Sequence, residues 1–295
     1  MLPFTPLTRE SKDIYTPYYE RCPVHYAEYS FFGLWGWKDT VPIEMACVDG
    51  LCWLRSSGPY PGVFGPVGDW DTVDWEAATR RFVPGDIVYE VPKEATERFP
   101  VELRRQIKLT EARDQWEYLH SVQDLIALKG SKYAHKRNRV RAFMSSYEWD
   151  YYPMLPEDFP AVMEFQERWR AHRNSTMAAD EAVSLYDEDL AIRTALENWD
   201  DFPFLGGIIK VDDEIVAYTI AEELDSQTLD IRFEKAFGEY AGSYQAINHL
   251  FLENQGAAYV WVNREEDMGE PGLRAAKLSY NPVKMLEKYT VEFLA

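Results

Sequence analysis

Thr228-Leu-Asp-Ile-Arg-Phe-Glu-Lys-Ala-Phe237, then GEYAGSYQAINHLFLENQG from Gly238 to Gly256, then Ala257-Ala-Tyr-Val-Trp-Val-Asn-Arg-Glu-Glu-Asp267, are the consecutive segments that decide this fold. In the first, Leu229, Ile231 and Phe233 alternate with Asp230, Arg232 and Glu234, the period-two pattern of a half-buried strand. In the second, Tyr244, Ile247 and Phe251 recur at helical spacing with Ala246 and Leu250, and Gly256 stands at the expected stop. The third opens as a short apolar strand, Ala258 to Val262, and turns polar from Asn263 to Asp267. Strand, helix, strand is a crossover unit, so the two strands are expected to lie parallel in one sheet. Sites in such sheets lie beyond the carboxyl ends of the strands. That nominates Glu234 and Lys235 on one strand and Asn263 to Asp267 after the other.

Working outward, the 295 residues suffice for two domains, and a 46% hydrophobic content excludes a disordered chain. The net charge of −19 argues against general binding to nucleic acid or to anionic membranes. No run approaches the ~20 apolar residues of a membrane span, so no stable membrane insertion is expected. Three cysteines and no evident signal peptide point to the cytoplasm. Asp49-Gly50 predicts a hairpin over residues 42–55 that sets Cys47 opposite Cys52, read as two reduced, buried hydrophobes with a redox pair as the alternative. Residues 56–69, rich in Gly and Pro, read as a long loop, either a lid or a structural connection. The five histidines show no paired ligand spacing, so no metal site is expected.

Six of the 31 basic residues fall between Lys129 and Arg141, against the overall charge. In a helix after Ser131, Lys132, Lys136 and Arg139 share one face, flanked by Arg137 and Arg141. Positive side chains in a first helical turn oppose the helix dipole. The face is therefore either an anion-binding groove, for a donor phosphate or an RNA backbone, or solvated surface. Pro153, Pro156 and Pro160 punctuate a change of composition and set the expected boundary between domains 1–150 and 151–295. After it come two helices, a hairpin around Asp212-Asp213, the crossover unit, another helix and a last strand at Thr290 to Leu294.

That order is similar to the GCN5-related N-acetyltransferase (GNAT) fold. The motifs Arg232-Phe-Glu-Lys-Ala236, Gly242-Ser-Tyr-Gln-Ala-Ile-Asn248, Val262-Asn-Arg-Glu-Glu-Asp267 and Gly272-Leu-Arg-Ala-Ala-Lys-Leu-Ser-Tyr-Asn-Pro282 resemble an uncharacterised bacterial family related to the C-terminal domain of phosphatidylglycerol lysyltransferases. The resemblance spans roughly Tyr26 to Tyr289. It implies an α/β (α+β) fold of two tandem GNAT-like domains, each with a central mixed sheet. It also implies acyl or aminoacyl transfer from acyl-coenzyme A or aminoacyl-tRNA, with tRNA held by the basic helix and a small molecule or lipid headgroup as acceptor. The usual pyrophosphate-binding glycine loop is altered here to Phe237-Gly-Glu-Tyr-Ala-Gly242, which speaks against coenzyme A. On the enzyme reading Glu234 is the base or orients the acceptor, Asn263 donates a hydrogen bond, Asp267 fixes the Gly269 to Gly272 turn, and Tyr280 returns a proton. Lys235 and Lys277 join Lys132, Lys136, Arg137 and Arg139 as donor-binding candidates. The alternative is a binding module that keeps the fold without the chemistry.

Overall fold

The computed structural model describes residues 2–58, 61–174 and 179–295. Its early strands are β1 (Thr5–Pro6), β2 (Ile43–Val48), β3 (Leu51–Ser56), β4 (Gly62–Gly68), β5 (Ile87–Pro92) and β6 (Ile107–Glu111). Helices α1 (Lys12–Tyr19), α2 (Phe31–Trp35), α3 (Trp75–Thr79), α4 (Lys93–Thr96) and α5 (Val101–Arg104) fall among them. Then follow β7 (Glu117–Ser121), α6 (Val122–Ala127), α7 (Ala134–Ser146), β8 (Trp149–Pro153), α8 (Phe159–Asn174) and α9 (Ala179–Glu197). The rest is β9 (Phe204–Val211), β10 (Glu214–Asp225), β11 (Thr228–Ala236), α10 (Ser243–Phe251), β12 (Trp261–Asn263), α11 (Pro271–Leu278), β13 (Lys284–Leu286) and β14 (Lys288–Phe293). This is a mixed α+β protein with two seven-stranded mixed sheets, ordered β1-β2-β3-β4-β5-β14-β6 and β13-β7-β12-β11-β10-β9-β8.

Contacts divide the chain into two compact units, but not at residue 150. The first holds residues 1–117, 266–274 and 285–295; the second holds 118–265 and 275–284. The expected boundary therefore needs correction. The proline-rich stretch contains β8, which pairs antiparallel with β9, and Pro153 closes it at a sheet edge, where a missing N–H is tolerated. The last strand, expected with its sequence neighbours, instead runs between β5 and β6 of the first sheet.

In the first unit the Asp49-Gly50 hairpin forms with Cys47 opposite Cys52, and the two sulfurs are joined in a disulfide, which corrects the reduced reading. The expected loop over 56–69 is largely β4, paired antiparallel with β3 and parallel with β5; its Pro59 and Tyr60 lie outside the described residues. Composition misled because the glycines permit close approach: a Cβ at Gly62 would meet the Tyr89 ring at 2.7 Å.

In the second unit the crossover forms as expected, with β11 parallel to β12. Asp212 and Asp213, both at positive φ, turn the β9–β10 hairpin. Two apolar clusters pack the helices on the sheet, one built on Val122, Leu125, Leu229, Phe251 and Val262, the other on Phe143, Ile209, Ala246, Ile247 and Leu250. Gly242 is required where α7 crosses the start of α10. It sits at φ +93°, and a Cβ there would lie 2.3 Å from the Arg139 carbonyl oxygen.

Candidate functional site

Two departures from regular pairing create the site in the second unit. First, β11 and β12 pair only over Thr228↔Trp261, Leu229↔Val262 and Asp230↔Asn263. Asn263 therefore neighbours Asp230, not Glu234, and the expected convergence of Glu234 and Asn263 at the strand ends does not occur. Second, Ile220 pairs with Phe233 while Ala221 pairs with Ile231, so Arg232 is an extra residue, a β-bulge. The bulge breaks the period-two alternation. Leu229 and Ile231 belong to the core cluster with Phe251, and after the bulge Glu234 and Ala236 take over that α10-facing side.

Glu234 thereby meets two donors. Asn248 Nδ2 of α10 donates to Oε2 at 3.1 Å, and Arg264 Nη2, from just past β12, donates to Oε1 at 2.8 Å. The guanidinium of Arg264 lies 4.6 Å from the centre of the Tyr280 ring, and Lys136 Nζ lies 3.8 Å from the same centre. His120 of β7 sits edge-on to Tyr280 at 6.4 Å. Lys136 and Tyr280 are buried, His120 is completely so, and the side chains of Glu234 and Arg264 are nearly so.

The electrostatics are uneven. Lys136 has no hydrogen bond or ion pair with any described residue. Burial, then the charge of Arg264, push its ammonium down to about 8, opposed in part by Glu234. Burial, then Arg264, hold His120 down at about 3, so it is neutral near pH 7. Burial raises the Tyr280 hydroxyl, with Arg264 acting against it.

The remaining candidates scatter. Asn263 is fully buried, and its Oδ1 accepts from Glu265 N at 2.9 Å, which shapes the turn after β12. Lys235 points to the other face of β11, where Glu188 binds it at 2.6 Å over the Trp169 ring. On the basic helix only Lys136 turns inward. Lys132 is exposed and pairs with Asp124, Arg137 caps the carbonyls of Leu128 and Gly130, and Arg139 is exposed. The expected common groove of Lys132, Lys136 and Arg139 is thus not formed, because Lys132 lies in a 3₁₀ turn ahead of α7. Lys277 lies 6.0 Å from the Tyr118 ring centre.

Asp267 belongs to the first unit. Its buried carboxylate accepts from Arg113 Nη1, Arg274 Nε and Nη2, and the Gly269 amide. Sequence reasoning missed Arg264, His120 and Asn248 as a group. Arg264 was visible inside a polar run, but nothing in one sequence marks which member of such a run turns inward.

Some amides at the start of α10 are engaged. Tyr240 N donates to Phe237 O, Ala241 N to the Tyr147 hydroxyl and Ser243 N to Tyr240 O. Among the described residues, no group of three or more His, Cys, Asp and Glu is arranged to hold a metal ion, and no helix is long and apolar enough to cross a membrane.

A family model described as phosphatidylglycerol lysyltransferase, C-terminal, matches residues 20–292. A crystal structure of a conserved protein of unknown function from Bacteroides thetaiotaomicron superposes with a TM-score of 0.88 at 28% identity, covering 99% of this chain and all of that one. A C-terminal domain described as that of a lysylphosphatidylglycerol synthetase from Agrobacterium fabrum gives 0.63 at 14% identity, covering 96% of this chain and 91% of that one. The latter likeness is one of fold. An uncharacterised protein of Mycoplasmoides gallisepticum is 25% identical over 187 residues, which are 60% of this chain but only 56% of that protein.

Proposed function

The chain belongs to the phosphatidylglycerol lysyltransferase C-terminal family, and from that premise we propose that it is an acyl-group transferase with its reaction centre in the second unit. The observation that carries the reading is Lys136, a buried lysine without a carboxylate partner, in a cluster with Tyr280, Arg264 and Glu234. Strongly shifted groups of this kind concentrate at functional sites. Each unit is read as a GNAT-like domain, the second one carrying the chemistry.

The favoured donor is an aminoacyl group esterified to tRNA. Two amides of the loop before α10 and the first amide of α10 are already engaged, which supports an ester donor over the coenzyme A pyrophosphate. The acceptor, an amine or a hydroxyl such as that of a lipid headgroup, attacks the ester carbonyl. The carbon–oxygen bond to the ribose breaks, and the proton lost by the acceptor reaches the departing oxygen. Lys136 suits that transfer. With a value of about 8, roughly one-tenth of it is free amine at pH 7, against about one in 3,000 for an ordinary lysine. Glu234, engaged by two donors, holds Arg264 and α10 in place, and the Tyr280 hydroxyl is a further proton carrier.

The test uses tRNA charged with labelled lysine and vesicles containing phosphatidylglycerol, alongside free amine acceptors. Transfer that falls by about 10²–10⁴ in Lys136→Met, with melting no lower than that of the wild type, is the expected result. Transfer undiminished in that variant would remove Lys136 from the chemistry. Absence of transfer to every acceptor would return the chain to the binding-module reading.

A further inference from the structure

In the cluster around Tyr280 the buried cations outnumber the carboxylates that serve them. Around the Tyr280 ring stand Lys136 and Arg264, and Glu234 supplies the one acid within hydrogen-bonding reach of either among the described residues. Glu234 engages only one arm of the guanidinium: Nη2 donates to it, whereas Nη1 is buried and makes no hydrogen bond. Both ring nitrogens of His120, buried in the same cluster, make no close hydrogen bond, a weak interaction with the Tyr280 backbone aside. Buried polar atoms are almost always satisfied. An uncompensated buried charge costs several kcal/mol. Three poorly matched polar atoms on two residues, beside an excess positive charge, describe a place missing its counter-ion.

We infer that this place binds an oxyanion of the substrate, a phosphate or a carboxylate, paired with Arg264 Nη1 beside His120. Nη1, the arm that Glu234 leaves unbonded, meets such a group with a charge-assisted N–H donor that stays charged at every accessible pH. Neutral His120 adds one ring donor without adding charge, since burial and Arg264 keep it unprotonated near pH 7. The protein's net charge of −19 repels anions at long range, so a local excess of cations is what admits one. The ligand also completes the site electrically. Its negative charge near Lys136 favours the ammonium form, so that group holds its proton more tightly while the anion is bound. In naming the charge of the substrate the inference rests on the transfer reading; the existence of the anion site does not.

Calorimetric titrations with inorganic phosphate, sn-glycerol 3-phosphate and acetate, at ionic strength held constant with chloride, test it. The expected result is saturable binding that weakens about tenfold or more in Arg264→Gln, the loss of one charge-assisted hydrogen bond. Arg80→Gln, on the exposed surface of the first unit, should bind as wild type. Glycerol phosphate bound more tightly than free phosphate identifies a phosphoester, and acetate bound more tightly than either identifies a carboxylate. Should Arg264→Gln fail to fold, the Lys136 ammonium in labelled wild-type protein must titrate at higher pH when phosphate is saturating. No saturation by any of the three anions, unaltered binding in Arg264→Gln, or an unmoved Lys136 titration overturns the inference. Anion binding without transfer to any acceptor would sink the transfer reading alone, and transfer without anion binding would sink this inference alone.

Discussion

Lys288 in the first unit and Lys136 in the second are both buried lysines set against tyrosine rings, and they titrate in opposite directions. Lys288 is completely buried, 5.6 Å and 5.9 Å from the ring centres of Tyr26 and Tyr29. It pairs with Glu28 and, at 3.0 Å, with the fully buried Glu117. Burial works against its charge, but Glu117, Glu28, Glu90 and Glu266 outweigh burial and hold its value well above the ordinary one. Lys136 lacks any such partner, so burial wins and the value falls to about 8. Burial alone therefore does not set a lysine's titration. The partner set does: a lysine surrounded by acids is a fixed charge, and a lysine left unpaired gives up its proton more readily.

The largest expected effect breaks the paired side. Lys288→Met removes the cation that faces buried Glu117 and half-buried Glu28 and should cost about 3–5 kcal/mol in chemical denaturation. A loss under about 1 kcal/mol would mean that those acids simply take up protons, and the contrast would weaken. On the unpaired side the sign reverses. Lys136→Met removes a poorly compensated charge and should raise stability at pH 7 by about 1–2 kcal/mol, while transfer falls as stated above. Below pH 8 the wild-type lysine is charged in both folded and unfolded chains. Between pH 8 and 10.5 the unfolded chain holds the proton more tightly, so stability from this group rises with pH. The variant should lack that rise.

His120 sharpens the same comparison in acid. With a folded value of about 3 against the ordinary 6.5, its contribution is lost as pH falls through that window, at up to about 1.4 kcal/mol per pH unit. His120→Phe should flatten the acid limb of the stability curve; an unchanged limb would place the acid sensitivity elsewhere. The smallest effect belongs to Lys235, paired with Glu188 at a site that keeps some solvent. Glu188→Gln should cost about 1 kcal/mol or less and leave transfer intact.

Much of the second unit was legible. The β11–α10–β12 crossover, the Asp212-Asp213 hairpin and the family motifs all follow from local signals, namely periodicity, turn residues and caps. What was not legible depends on pairing at a distance. The bulge at Arg232 leaves no mark in a sequence whose alternation looks unbroken, yet it decides which face Glu234 occupies. The short β11–β12 register puts Arg264, rather than Asn263, beside Glu234. Lys136 read as one of a solvated or anion-binding row, and only the packing of α7 separates it from exposed Lys132 and Arg139. Lys288 drew no notice because its partners Glu28 and Glu117 lie far away in the chain, one in a 3₁₀ turn over Ala27–Tyr29 and one at the start of β7.

The contrast between the two lysines is tested most directly by titrating them. In protein carrying ¹⁵N-labelled lysine, with Lys136→Met and Lys288→Met used for assignment, the side-chain resonances are followed by NMR from pH 6 to 11. Lys136 is expected to titrate near pH 8 while Lys288 stays protonated throughout. A Lys136 resonance that titrates with the surface lysines, near 10.5, would contradict the account.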